Sequence, residues 1–154
     1  MTRGIHVYRN GAYSWQCPLS RRELAEVLAA MRRACGLGET PVDLTLADDA
    51  FISGLNAARL GCAGPTNILS FPPHPGTGRE HALLVLSLDT LERESLLYGQ
   101  DAAEHLVRLL AHGMAHLGGL DHGAAMDAVQ DAAFAAGMRL CAGFFREWRD
   151  EEKR

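Results

Sequence analysis

The chain has 154 residues, 47% hydrophobic and 22% charged, the composition of an ordinary soluble globular protein and the length of one compact domain. Its 15 basic and 19 acidic side chains leave a formal charge of −4, so the overall field repels polyanions and bulk charge gives no grip on nucleic acid. No apolar run approaches the roughly 18 to 20 residues needed to span a bilayer, and residues 1–15 lack a signal-peptide core, which points to a cytoplasmic protein with no membrane partner. Cys17, Cys35, Cys62 and Cys141 are widely spaced and form no Cys-x-x-Cys pair, so they read as reduced, mostly buried thiols.

Residues 5–9 fit a first strand, with Ile5 and Val7 on one face, and Asn10 with Gly11 is a turn signal. Ser20 and Glu23 have the spacing of a capping box, and Leu24, Val27, Leu28 and Met31 repeat at helical intervals until Gly36 and Gly38. Val42, Leu44 and Leu46 then alternate with Asp43 and Thr45, as in a strand buried on one face. Asp48 or Asp49 is placed to cap a helix carrying Phe51, Ile52 and Leu55, which ends by Gly61.

Strands are expected at 68–71 and 82–87, separated by a Pro/Gly-rich, mobile loop at 74–80. Asp89 can cap a helix of about two turns, and Asp101 opens a longer one through Leu106 and Leu110 to His116, broken by Gly118 and Gly119. A last helix follows His122, with Met126, Phe134, Met138, Cys141 and Phe144 among its apolar positions, although Gly137 and Gly143 lower its propensity. Strands early and helices late predict an α+β fold, a small sheet with helices over it.

The strongest chemical signal is His112, His116 and His122. Residues four apart on a helix differ by about 40° in direction and one turn in height, so two imidazoles can address one ion. The glycines that follow allow the chain to fold back and deliver the third. With seven histidines in the chain, this triple spacing is expected by chance only about 0.01 times. Three neutral imidazoles leave an ion's charge intact and a coordination position open, the pattern of a catalytic zinc site, here zincin-like on a helix and its following turn. Nickel, copper or cobalt also suit such a donor set. His105, about 10 Å along the helix, is too far to share the ion and reads as a surface or supporting residue; His6, His74 and His81 are scattered and carry no such case.

The spacing also resembles the extended zinc motif of metzincin peptidases, His-Glu-x-x-His-x-x-Gly-x-x-His. The glutamate that takes a proton from water in those enzymes is replaced by Gly113, which argues against peptide hydrolysis.

The run from His112 to His122 further resembles the signature of the YbeY family, written His-Gly-x-Leu-His-Leu-x-Gly-Tyr-Asp-His. Leu55-Asn56, followed by Pro65-Thr66-Asn67-Ile68-Leu69-Ser70-Phe71-Pro72, is similar to that family's Leu-Asn and Pro-Thr-Asp/Asn-Val-Leu-Ser-Phe-Pro segments. The likeness covers roughly residues 44–126. It implies a small mixed four-stranded sheet flanked by helices, and a zinc-dependent, single-strand-specific endoribonuclease acting in maturation of the small-subunit ribosomal RNA 3′ end and in ribosome quality control. His112, His116 and His122 would hold one Zn2+ with a water. The implied partners are ribosomal RNA, the small ribosomal subunit and an Era-like GTPase.

Three positions depart from the family pattern. Its Tyr-Arg-Gly aligns with Arg59, Leu60 and Gly61, so the arginine stands one residue early, about 100° around a helix. Its Gly-Asp aligns with Ala82 and Leu83, and its Tyr before Asp-His is Leu120. Arg59 is nevertheless the candidate to grip phosphate oxygens in pairs. Asp121 is the candidate to accept a ring N–H from a ligand histidine or to cap the turn, and Ser70 the candidate to line the substrate cleft. Residues 1–154 thus read as a single metal-dependent hydrolase domain with a frayed tail at 149–154. The competing readings are a ribosome-assembly binding factor with weak or no nuclease activity, and a zinc hydrolase of peptides or small esters.

Overall fold

The computed structural model describes residues 2–10 and 17–154. Strand β1 (Ile5–Asn10) is followed by helix α1 (Arg21–Ala34), β2 (Val42–Ala47), α2 (Asp49–Leu60), β3 (Ile68–Phe71) and β4 (Ala82–Ser87). Helices α3 (Leu88–Leu97), α4 (Ala102–Leu117) and α5 (Ala124–Glu152) complete the chain. The turn expected at Asn10 and Gly11 runs into residues 11–16, outside those described.

The four strands form one mixed sheet in the order β1-β2-β4-β3, parallel except for β3, which pairs antiparallel with β4 at the edge. The α+β expectation therefore holds. Strand alternation sorts the side chains: Val42, Leu44, Leu46, Ala82, Leu84, Leu86 and Ile68 join α1 and α4 in the main core, and Leu69, Phe71, Leu83 and Val85 pack with Ile52 and Leu55 of α2 on the other face. No helix among the described residues is long and apolar enough to cross a membrane.

Local chemistry accounts for most helix starts. The Ser20 hydroxyl accepts from Glu23 N–H while Glu23 reaches back to the Ser20 amide, and Asp48 and Asp101 cap α2 and α4. At α3 the cap is Ser87, not Asp89, and the helix runs ten residues rather than about two turns. Asp89 is diverted to accept the Asp49 amide at 3.0 Å. Asp49 itself accepts from Ser87 Oγ, Thr90 Oγ1 and Arg93 Nη1 at 2.7, 2.8 and 2.6 Å, tying the starts of α2 and α3 together.

Other expectations change in detail. The Pro/Gly-rich 74–80 loop carries internal bridging contacts: His74 N–H donates to Arg79 O at 2.7 Å and Gly76 N–H to Glu80 at 3.1 Å. Only Cys141 of the four thiols is fully buried, and Cys62 is exposed, because residue 62 lies in the open stretch after α2. Gly137, instead of weakening α5, lets it approach its neighbours: a Cβ there would sit 2.7 Å from Val107 Cγ1 and 2.8 Å from Met31 Cε.

Candidate active site

Helix α4 carries His112 and His116 on adjacent turns of one face, both half-buried. Its end is set by Gly118, and Gly119 alone takes a left-handed backbone (φ 77°), turning the chain so that His122 comes back over the helix. The three rings cluster, with centroids 4.6 Å apart for His112 and His116, 5.2 Å for His116 and His122, and 5.9 Å for His112 and His122.

The Nε2 atoms of His112 and His116 lie 3.1 Å apart. The Nδ1 atom of His112 is 2.9 Å from Gln130 Oε1 on α5. A carbonyl oxygen only accepts, so that Nδ1 carries the proton and Nε2 presents a bare lone pair to His116. Burial, then the neighbouring His112 and His122 rings, pushes His116 below the ordinary imidazole value, against the Asp121 charge and a hydrogen bond to the Leu120 backbone. Neutral imidazoles with inward lone pairs are what a metal requires. Two nitrogens bound at 2.0–2.1 Å to a tetrahedral ion are about 3.3 Å apart, so the observed separation needs only a small adjustment to fit one.

A cavity of about 370 Å³ opens beside these rings, lined by Ile68, Ser70, Pro72, His112, His116, Gly119, Leu120 and Asp121. Ser70, from the edge strand, donates its hydroxyl to Gly113 O at 3.0 Å, which binds β3 to α4 directly under the first histidine. Gly113 is buried against the sheet: a Cβ there would meet Ile68 Cδ1 at 2.8 Å, Leu84 Cδ2 at 3.0 Å and Ser70 Oγ at 3.2 Å. No glutamate fits at that position, so the departure from the peptidase motif has a packing cause as well as a chemical consequence.

Arg59 is not in this cavity. It lies at the exposed end of α2 and lines a second cavity, of about 360 Å³, on the opposite face of the sheet with Asp43, Leu55, Phe71, Arg79, Glu80 and His81. Both cavities border β3, whose Ser70 faces one and Phe71 the other. Leu60, at the family's arginine position, is 55% exposed.

Two other motif residues have structural partners. Asn56 is buried and donates Nδ2–H to Gly64 O at 3.0 Å, holding the turn after α2. Asn67 donates to Glu94 at 3.1 Å and accepts from Ile68 N–H at 2.7 Å, anchoring the start of β3 to α3. His105 is buried rather than a surface residue, with Nε2 3.4 Å from that same Glu94.

A family model described as endoribonuclease YbeY matches residues 15–133. The chain belongs to the YbeY family. Among curated relatives, the endoribonuclease YbeY of Nitratidesulfovibrio vulgaris (strain Hildenborough) is 46% identical over 144 residues, covering 81% of this chain and 89% of that protein. That of Oleidesulfovibrio alaskensis is 39% identical over 132 residues, covering 71% and 78%. A Thermotoga maritima protein solved in solution shares the fold with a TM-score of 0.58 at 20% identity, over 96% of this chain and 93% of its own.

Sequence reasoning missed two features. Gln130, the hydrogen-bond partner of His112, lies 18 residues further on in another helix. His6 and His81, set aside as scattered, converge with Asp43 into a group that could hold a metal ion. The signal for it was present only as strand alternation: Asp43 belongs to the polar face of β2, and strand pairing sets His6 directly opposite.

Proposed function

We propose that this chain is a zinc-dependent endoribonuclease that cuts single-stranded RNA, acting on the 3′ end of small-subunit ribosomal RNA and in ribosome quality control. The observation that carries it is the convergence of the His112 and His116 Nε2 atoms at 3.1 Å with the His112 tautomer held by Gln130, in a chain of the YbeY family. His112, His116 and His122 hold the zinc. A zinc ion there supplies a double positive charge that polarises a phosphoryl oxygen and acidifies water.

The remaining work falls to the chain's own groups. Gln130 keeps the His112 lone pair directed inward. Asp121, at the mouth of the cavity, balances charge beside His116 and is placed to hold a proton during cleavage. Ser70 and Ile68 form the wall against which the strand lies. Arg59 grips a second phosphate of the same strand where it passes around β3 to the opposite face, so it positions substrate at a distance from the reacting atoms. A narrow edge strand between two cavities suits a flexible single strand better than a stiff duplex. On this reading the partners are ribosomal RNA on the small subunit and an Era-like GTPase, and the site of action is the cytoplasm.

The test is cleavage of a single-stranded ribosomal RNA fragment by purified zinc-loaded protein. Wild type is expected to cut and His116→Ala to be inactive with its fold intact. Persistent cutting by the His112, His116 and His122 triple alanine variant would overturn the proposal.

A further inference from the structure

The second histidine group is built by the sheet. In the parallel β1–β2 pair, His6 stands opposite Asp43, and in the β2–β4 pair Val42 stands opposite Ala82. His81, one residue earlier, therefore falls on the same face as Asp43 and Leu83 by the two-residue period. His6 Nδ1 and His81 Nδ1 each lie 3.0 Å from Asp43 Oδ1, and His81 Nδ1 is also 3.0 Å from Oδ2. The two imidazoles stack with centroids 5.8 Å apart and planes within 12°. One potential ligand atom from each residue can be chosen so that all three lie within 4.8 Å of one another.

We propose that His6, Asp43 and His81 form a second metal site, for a divalent transition ion of the zinc type, independent of the His112 group. Two imidazoles and one carboxylate supply a single negative charge and a mixed nitrogen and oxygen donor set, which such ions favour over magnesium or calcium. The two His–Asp separations of 3.0 Å are close to the edge of a zinc coordination tetrahedron, about 3.3 Å. The donors also sit on or beside paired strands, so the backbone is already fixed and little ordering is needed on binding. Asp43 and His81 border the cavity that contains Arg59 and Arg79, leaving room for a water or an anionic oxygen as a further ligand. The group lies on the α2 face of the sheet, whereas the α4 histidines lie on the other, so one ion cannot serve both.

Stoichiometry separates the two sites without reference to activity. Metal-stripped full-length protein is titrated with Zn2+ in a calorimeter, and with Co2+ while the imidazole resonances are followed by NMR. Wild type is expected to bind two equivalents, with Co2+ broadening His6 and His81 as well as the α4 rings. Asp43→Asn, which preserves shape, and His81→Ala, whose side chain is 44% exposed and removable without a cavity, are each expected to bind one. The His112→Ala/His116→Ala variant should retain one equivalent. A wild-type protein that binds a single equivalent, or an Asp43→Asn protein that still binds two, would overturn the proposal. So would Co2+ that leaves the His6 and His81 resonances sharp.

Discussion

Gly113 offers a direct test of how the sheet positions the helix that carries His112 and His116. Replacing glycine by alanine inside a helix ordinarily stabilises it by about 1 kcal/mol, through reduced freedom of the unfolded chain. At residue 113 the new methyl would meet Ile68 Cδ1 at 2.8 Å, Leu84 Cδ2 at 3.0 Å and Ser70 Oγ at 3.2 Å. The two carbons end flexible side chains, but both residues are buried, and Ser70 is held by its bond to Gly113 O. Overpacking of this kind costs about 1 to 3 kcal/mol. The balance predicts a net loss of about 1 kcal/mol for Gly113→Ala, together with a displaced His112 and a fall in RNA cleavage. Gly54 in α2 and Gly143 in α5 provide the control, since an added Cβ at either meets nothing within 4 Å. Gly54→Ala and Gly143→Ala should each gain about 0.5 to 1 kcal/mol. Urea unfolding of the metal-free proteins measures all three. A Gly113→Ala protein as stabilised as the Gly54→Ala control would refute the close-approach account of this position.

Gln130→Leu removes the acceptor of the His112 Nδ1 proton and should weaken zinc binding by about 10- to 100-fold in competition with a chromophoric chelator; unchanged affinity would show that the ring needs no such partner. Arg59→Ala should raise the KM for RNA while leaving kcat within about tenfold, because Arg59 borders a cavity on the opposite face from the histidines; an equal collapse of kcat would place it at the reacting atoms. Burial raises the Asp49 carboxyl, but the hydrogen bonds from Arg93, Ser87 and Thr90 outweigh it and hold the group below its ordinary value of 3.8. A depressed folded value means that its contribution is complete above 3.8 and is lost as pH falls through the lower folded value. Asp49→Asn should therefore unfold at a lower temperature than wild type at pH 7, and the gap between the two melting temperatures should narrow below pH 4; a constant gap would contradict the assignment.

What could be read from the chain was what the chain writes locally. The Ser20 and Glu23 capping box, the alternation of Val42, Leu44 and Leu46, and the four-residue step from His112 to His116 each involve neighbours on one element, so spacing alone fixes their relation. The α3 start shows where this ends. Ser87 and Asp89 are both competent caps, and the choice turned on Asp49, 38 residues before Ser87, which accepts the serine hydroxyl while Asp89 takes the Asp49 amide. Gly113 and Gly137 looked like a missing base and a weak helix because the atoms that crowd them come from other elements.

The His6, Asp43 and His81 group makes the same point in terms of chemistry. The two contacts to Asp43 span 37 and 38 residues and each crosses a strand boundary, so no motif length contains the group. Its formation requires the order β1-β2-β4, in which β4 inserts beside β2 and leaves β3 at the edge. Had β3 paired with β2 instead, His81 would lie a strand further away and Asp43 would share its face with Leu69 and Phe71. The same strand order gives β3 its edge position between the two cavities. One topological choice therefore both assembles the second histidine group and creates the edge along which the proposed RNA strand passes, and a substitution that disturbed the β2–β4 register would be expected to damage both together.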